Sequence, residues 1–134
     1  MCVITVEEFL EFTFWVDDTN PDGRFEIRPK VYCSDGHNVS IQGHCGSYSE
    51  PREFSPKYVK VELGYPSSEE KLFKSEFSDG DDIASYVPIN IVHDYIQSHG
   101  GVDVKATLKK CKDVNMKKQL MKCILKDKLE KFIK

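Results

Sequence analysis

The stretch that decides the fold runs from Val31 to Ser67, VYCSDGHNVSIQGHCGSYSEPREFSPKYVKVELGYPS. Two segments of it alternate apolar and polar residues with the period of two expected of half-buried strands. Asn38–Gln42 sets Val39 and Ile41 on one face. Tyr58–Gly64 sets Val59, Val61 and Leu63 on one face and Tyr58, Lys60 and Glu62 on the other. Before them, Lys30–Cys33 runs into Ser34, Asp35 and Gly36. That composition turns the chain, because Asp bonds to nearby backbone and Gly accepts positive φ. Lys30–Cys33 and Asn38–Gly43 therefore read as a hairpin. Between the two alternating segments, Gly43–Lys57 has no apolar period and reads as a loop.

Toward the N-terminus, Thr5 followed by Glu8 fits a capping box. Val6, Phe9, Leu10 and Phe12 then recur near helical spacing, which predicts a helix within Thr5–Val16, with Trp15 as a core residue. Asp17–Gly23 (DDTNPDG) is a turn. Phe25, Ile27 and Val31 flank Pro29, which cannot donate to a ladder, so this run is an edge strand or is broken there. Toward the C-terminus, Ser68 is placed to cap a short helix over Glu69–Phe77, anchored by Leu72 and Phe73. Ser78–Asp82 (SDGDD) is a second acidic turn, and Ala84–Val87 a further short strand. Pro88 suits the first turn of a helix. Ile89, Val92 and Ile96 give it an apolar stripe, and Gly100 closes it after His99, so the helix spans Pro88–His99. Val104–Lys134 reads as helical, with a break near Asp113–Asn115. The fold class is α+β: a small antiparallel sheet of three to five strands packed by helices, with a Lys-rich helical C-terminal region. The chain is read as a single domain, with an α+β core over residues 1–101 and a helical extension over 102–134.

Charge is unevenly spread. From Gly101 onward, eleven lysines stand against four acidic residues, a net of +7; the first hundred residues hold the other eight basic and eighteen acidic groups, a net of -10. A basic tail on an acidic body suits an acidic partner or a second copy of the chain, through the amphipathic stripe Leu120–Ile133. No apolar run approaches the length of a membrane span. The first residues carry no basic segment followed by an apolar one, and the cysteine count of five is odd. The expectation is a protein of a reducing compartment, the cytoplasm, with free thiols.

Three chemistries were weighed at the deciding stretch. Cys33, His37, His44 and Cys45 offer two sulfur and two nitrogen ligands within thirteen residues. Tetrahedral zinc takes that set, but the spacing C-x3-H-x6-H-C matches no established pattern, and ordinary hairpin residues explain it better. Cys45 beside His44 suggests a thiol nucleophile, yet sequence neighbours seldom meet in hydrogen-bonding geometry, and no nucleophile elbow or phosphate loop is present. No metal, cofactor or catalytic residue is assigned. The binding candidates are Arg52, suited to phosphate, Tyr48 and Tyr65, suited to stacking, and the acidic turn residues Asp79, Asp81 and Asp82, joined by Asp17, Asp18 and Asp22. An acidic body repels DNA phosphate. It suits a basic groove on a protein that handles nucleic acid.

Ser34–Gly36, Val39–Gln42, Tyr48-x-x-Pro51-Arg52, Val61–Ser67, Tyr86–Val92 and His99–Gly101 together resemble a family of small phage and prophage accessory proteins, over about half of the chain. The resemblance implies a mobile-element setting and action by binding inside a host bacterium, either as an anti-CRISPR inhibitor of an effector protein or as a sponge for an immune signalling nucleotide. On that basis the expected inhibitor uses its acidic turns and the 43–57 loop. The alternatives are the nucleotide sponge, using Tyr48, Arg52 and Tyr65, and a metal- or thiol-dependent enzyme.

Overall fold

A computed structural model describes residues 3–14, 27–78 and 80–133, without the side chains of Asn115 and of residues 127–133. Trp15, the DDTNPDG turn, Phe25 and Asp79 lie outside the described residues. The fold is α+β. In chain order come β1 (Val3–Ile4), α1 (Val6–Phe12), β2 (Val31–Tyr32), β3 (Asn38–Gln42), β4 (Lys60–Gly64), a 3-10 turn (Lys71–Lys74), β5 (Ile83–Pro88), α2 (Ile89–Ser98), β6 (Val102–Asp103), α3 (Val104–Lys110) and α4 (Val114–Ile133). Strands β2-β3-β4-β5 form one antiparallel sheet and β1-β6 a second. An isolated bridge from Cys33 to Val102 ties the two sheets together.

Local chemistry accounts for most element ends. The capping box forms: Glu8 N–H donates to Thr5 Oγ1 and Thr5 N–H to Glu8 Oε1, both at 3.1 Å. The helix stops at Phe12, short of the predicted Val16, because its last turn is bonded elsewhere. Thr13 Oγ1 donates back to Phe9 O at 2.6 Å, and the Arg28 guanidinium takes Leu10 O at 2.9 Å. The hairpin forms, with Val31 opposite Val39 and Gly36 at φ 96 in its turn. Strand β4 begins at Lys60 rather than Tyr58. Val61 and Leu63 are fully buried, while Val59 is 58% exposed and Tyr58 is buried in its place. The helix expected over Glu69–Phe77 contracts to the 3-10 turn, and the Ser68 hydroxyl bonds the His37 ring instead of capping it.

α2 matches its prediction, closing through Gly100 and Gly101, both at φ near +90, with Gly101 N–H on Ile96 O at 3.0 Å. A Cβ on Gly101 would meet Val3 Cγ1 at 2.7 Å, so glycine is required there by contact as well as by φ. The break between α3 and α4 falls at Cys111–Asp113, with Asp113 Oδ1 accepting from Met116 N–H at 2.9 Å. One hydrophobic cluster joins all of this, from Ile4 and Phe9 through Val39, Val61, Val92 and Ile96 to Val104, Met116 and Leu120. Each such side chain contributes about 1.5–3 kcal/mol of burial. The C-terminal helices thus share the core of the first hundred residues. Along α4, Leu120, Cys123 and Ile124 face inward, whereas Val114, Met121 and Leu125 are exposed.

Candidate functional site

Two surfaces collect the chemistry. The first rests on Arg28, which is 2% exposed. Its Nε donates to Thr13 Oγ1 (2.7 Å), Nη1 to Tyr58 Oη (3.2 Å), and Nη2 to Leu10 O (2.9 Å) and Ser55 O (2.7 Å). The guanidinium also lies over the Phe54 ring at 4.5 Å. Among the described residues no carboxylate pairs with it. Burial lowers its pKa, partly offset by Tyr58, and the surrounding carbonyl and hydroxyl oxygens stand in for a counter-ion. Tyr58 Oη donates to Gly43 O at 2.6 Å and accepts from Ser55 N–H at 2.8 Å. Gly43 is needed at this point, because a Cβ would lie 2.3 Å from the Tyr58 ring. These bonds fix both ends of the 43–57 loop.

The loop carries Tyr48 and Arg52 to the outer face of the sheet. Arg52 is exposed, with its guanidinium 5.3 Å from the Tyr48 ring centroid. Tyr48 N–H donates to Glu62 Oε2 at 3.0 Å, and the Tyr48 ring lies 5.8 Å from that of Tyr86. Tyr86 owes its position to a bulge: Val61 pairs with Val87 and Leu63 with Ala84, so Ser85 and Tyr86 together oppose Glu62. Tyr86 has φ 50, a left-handed backbone that costs a non-glycine residue about 1–2 kcal/mol. Bulges re-aim side chains in this way. Tyr48 and Tyr86 are 46% and 40% exposed, an aromatic pair with the Arg52 guanidinium beside it.

The second surface is an acidic cleft of about 450 Å³, lined by Pro66, Ser67, Ser68, Phe73 and Gly80, the carboxylates Glu69, Glu70, Asp81 and Asp82, and one cation, Lys74. Tyr65 stands at its edge, 61% exposed, with its N–H on Asp82 O at 2.9 Å. The structure therefore brings Tyr65, Asp81 and Asp82 together, and Tyr48 with Arg52 on the other surface. Asp79 lies outside the described residues. Asp81 also shapes its own turn, accepting from Ile83 N–H at 3.0 Å.

Behind the cleft lies a cluster that the sequence reading missed. The His99 ring is held between Asp35 Oδ2 (2.6 Å) and Glu70 Oε1 (2.5 Å). It stacks on His37 with centroids 4.0 Å apart. His37 Nε2 meets Tyr95 Oη at 2.5 Å, and its Nδ1 meets Ser68 Oγ at 3.1 Å. Burial works against the charged His99, yet its hydrogen bonds to Asp35 and Glu70 outweigh that and raise its pKa. Burial, followed by the neighbouring His99, lowers His37. Burial opposes the charged Asp35 as well, but the His37 N–H and His99 bring it below its ordinary value. Burial pushes the Tyr95 phenol up, so its hydroxyl stays protonated; with a neutral His37 the bond at Nε2 and the bond at Nδ1 to Ser68 run in opposite senses, one nitrogen donating and the other accepting. The Cys33 thiol is pushed up to about 12 by burial and then by Asp35 and Glu70, which makes it an inert core residue.

Glu70, His37 and His99 bring ligand atoms within 4.8 Å of one another. A cation must lie in the plane of each imidazole that ligates it, because the ring lone pair does. The two ring planes are only 11° from parallel and stacked, so they do not meet near either nitrogen. As placed, the pair does not chelate one ion. His44 and Cys45 take no part in this cluster: His44 Nδ1 accepts from Gly46 N–H at 3.0 Å within its own loop. Compared with family profiles, characterised proteins and solved structures, the chain matches none.

Proposed function

We propose that the protein works by stoichiometric binding rather than by turnover, as a phage-type anti-defence protein that occupies a basic, nucleic-acid-handling surface of a bacterial CRISPR effector. The observation that carries this reading is the charge of the cleft lining, where Glu70 is bonded to His99 and Glu69 to Lys74, and Asp81 and Asp82 add two further carboxylates. Such a cleft repels phosphate and draws in guanidinium and ammonium groups. The 43–57 loop supplies a second contact, since exposed Tyr and Arg dominate binding hot spots. The resemblance to phage accessory proteins supplies the setting, the cytoplasm of a host bacterium. Among the described residues no helix is long and apolar enough to cross a membrane. Capture of candidate effectors by the purified protein tests the reading. A complex that forms at low salt and dissociates as salt rises is expected, and its absence at low salt would reject it.

A second reading has its own observation. Arg52 is exposed, unpaired among the described residues, and lies over Tyr48 beside Tyr86. That arrangement suits a nucleotide, with phosphate on Arg52 and base on tyrosine. A panel of cyclic oligonucleotides in a melting experiment tests it, since a ligand at a hundred times its Kd adds about 2.7 kcal/mol. Self-association belongs to the same proposal. The exposed Val114, Met121 and Leu125 on the Lys-rich α4 offer a face to the acidic body of a second copy, and a mass above the monomer in light scattering is expected.

A further inference from the structure

Three segments converge on the His37–His99 pair. The β2–β3 turn brings Asp35 and His37, the C-terminus of α2 brings Tyr95 and His99, and the cleft wall over residues 66–74 brings Ser67, Ser68 and Glu70. The turn and the helix end are joined through main chain: Ser34 N–H bonds Gly101 O and Asp35 N–H bonds His99 O, both at 3.2 Å. The wall is held differently. Phe73 is its one buried side chain, and its regular structure is a single 3-10 turn. Leu72 packs beside Phe73 against the core, and the Phe73 ring meets Tyr95 edge-on. The hydrogen bonds from the wall to the body are Ser67 N–H on Asn38 O at 2.8 Å, Ser67 Oγ accepting from Asn38 N–H at 2.9 Å, and the side-chain bonds to the two imidazoles.

We propose that the stacked His37–His99 pair is a proton-operated latch that holds the 66–74 wall of the acidic cleft. Bridging two carboxylates requires a donor at both nitrogens of His99, so the docked state carries a proton on each of them. His37 in that state is neutral, accepting a hydrogen bond from Tyr95 Oη at Nε2 and donating Nδ1–H to the serine hydroxyls. A second proton on the pair would place two imidazolium rings 4.0 Å apart and turn the Tyr95 bond around. Removing the proton from His99 leaves Asp35 and Glu70 facing a ring with one donor. Loss of the His99 proton releases Glu70, and a proton gained by His37 breaks the Tyr95 bond and opposes the stacked His99 imidazolium that holds Glu70. The charged and titratable groups around the pair are Asp35 from the turn, Glu70 from the wall, Lys30 and Cys33 from the strand before the turn, and Tyr95 from α2. The directions of the two shifts, His37 down and His99 up, frame an interval around the ordinary imidazole value in which the wall is docked. His93 is the control, since it pairs with Glu7.

The consequence for partner binding rests on the acidic-cleft reading above. The latch itself does not, and its test uses no partner. Imidazole titration by NMR on the full chain, with amide exchange followed over residues 66–74, reads it directly. Two ring midpoints on opposite sides of the unperturbed value are expected. Protection in 66–74, the exchange rate taken relative to the intrinsic rate at each pH, should be greatest between them and should fall by about tenfold for each unit by which a midpoint departs from its unfolded value. His99→Gln should abolish this pH profile, and His93→Gln should leave it intact. Coincident midpoints, protection in 66–74 that is flat across the same range, or a profile retained in His99→Gln would each overturn the latch. Movement of both ring signals on adding stoichiometric zinc would overturn it as well, because the pair would then be a metal centre.

Discussion

The Arg28 guanidinium lies over the Phe54 ring, 4.5 Å from its centroid, and spends its donors on oxygens of α1 and of the 43–58 segment. One side chain thus ties the end of the first helix to the loop that displays Tyr48 and Arg52. Lysine has neither the planar face nor the forked donors to replace it. Arg28→Lys should cost about 3 kcal/mol, because Leu10 O and Ser55 O lose their donor inside the protein. Urea unfolding measures the loss, and a change under about 0.5 kcal/mol would contradict this account.

The histidine pair makes stability depend on pH with opposite signs. His99 has a raised pKa in the fold, so its contribution is complete below the unfolded value and fades as pH rises through the folded one. His37 has a lowered pKa, so its contribution is complete above the unfolded value and is lost as pH falls through the folded one. The difference in urea midpoint between wild type and His99→Gln should therefore be larger at about pH 6 than at about pH 9. His37→Gln should show the reverse order. Equal differences at both pH values would refute the assignment of charge to His99.

Glu69 and Asp82 line the cleft and are exposed. The double variant Glu69→Lys/Asp82→Lys should change folding stability by no more than about 0.5 kcal/mol. It should slow association with a basic partner by roughly tenfold at low salt, with little effect at high salt. Unchanged association kinetics would move the binding surface away from this cleft.

Tyr86 is held at φ 50 within the β5 bulge. Asn tolerates left-handed backbone and a β-branched residue does not. Tyr86→Val should therefore be less stable than Tyr86→Asn by about 1 kcal/mol, although Val is the better strand former elsewhere. Thermal unfolding of the two variants compares them. Val matching or exceeding Asn would show that the bulge relaxes when the ring is removed.

The sheet was legible because Val39, Ile41, Val61 and Leu63 alternate over enough residues to fix the buried face. α2 was legible because a proline, a stripe and two glycines mark its ends. Val59 was misassigned because alternation alone does not say where a strand starts. Tyr58 is drawn into the core by Gly43 O and Arg28, and that forces Val59 outward. The short helix at Glu69–Phe77 failed for a related reason: Ser68, read as its cap, is bonded to a histidine 31 positions earlier in the chain. The His37–His99 cluster joins residues from three separate segments and leaves no periodic trace. Its sole local sign is that each histidine sits beside a turn, after Ser34–Gly36 and before Gly100–Gly101. Tyr48 and Arg52 were readable as a pair because only three residues of one loop separate them. Their companion Tyr86 was not, since only a bulge in a distant strand brings it there.

The first strand and the sixth lean on each other across nearly the whole described length: Val3 pairs with Asp103 and Ile4 with Val102, and Val102 also bridges to Cys33. During synthesis β1 has no partner until residues 102 and 103 have been made. The second sheet is thus a late event, closed only after the main sheet and α2 can already exist, and its loop closure is entropically expensive. A ribosome-bound chain ending at Gly101 would carry β1 as an open strand, and the next two residues supply the other half of the clasp that shuts it.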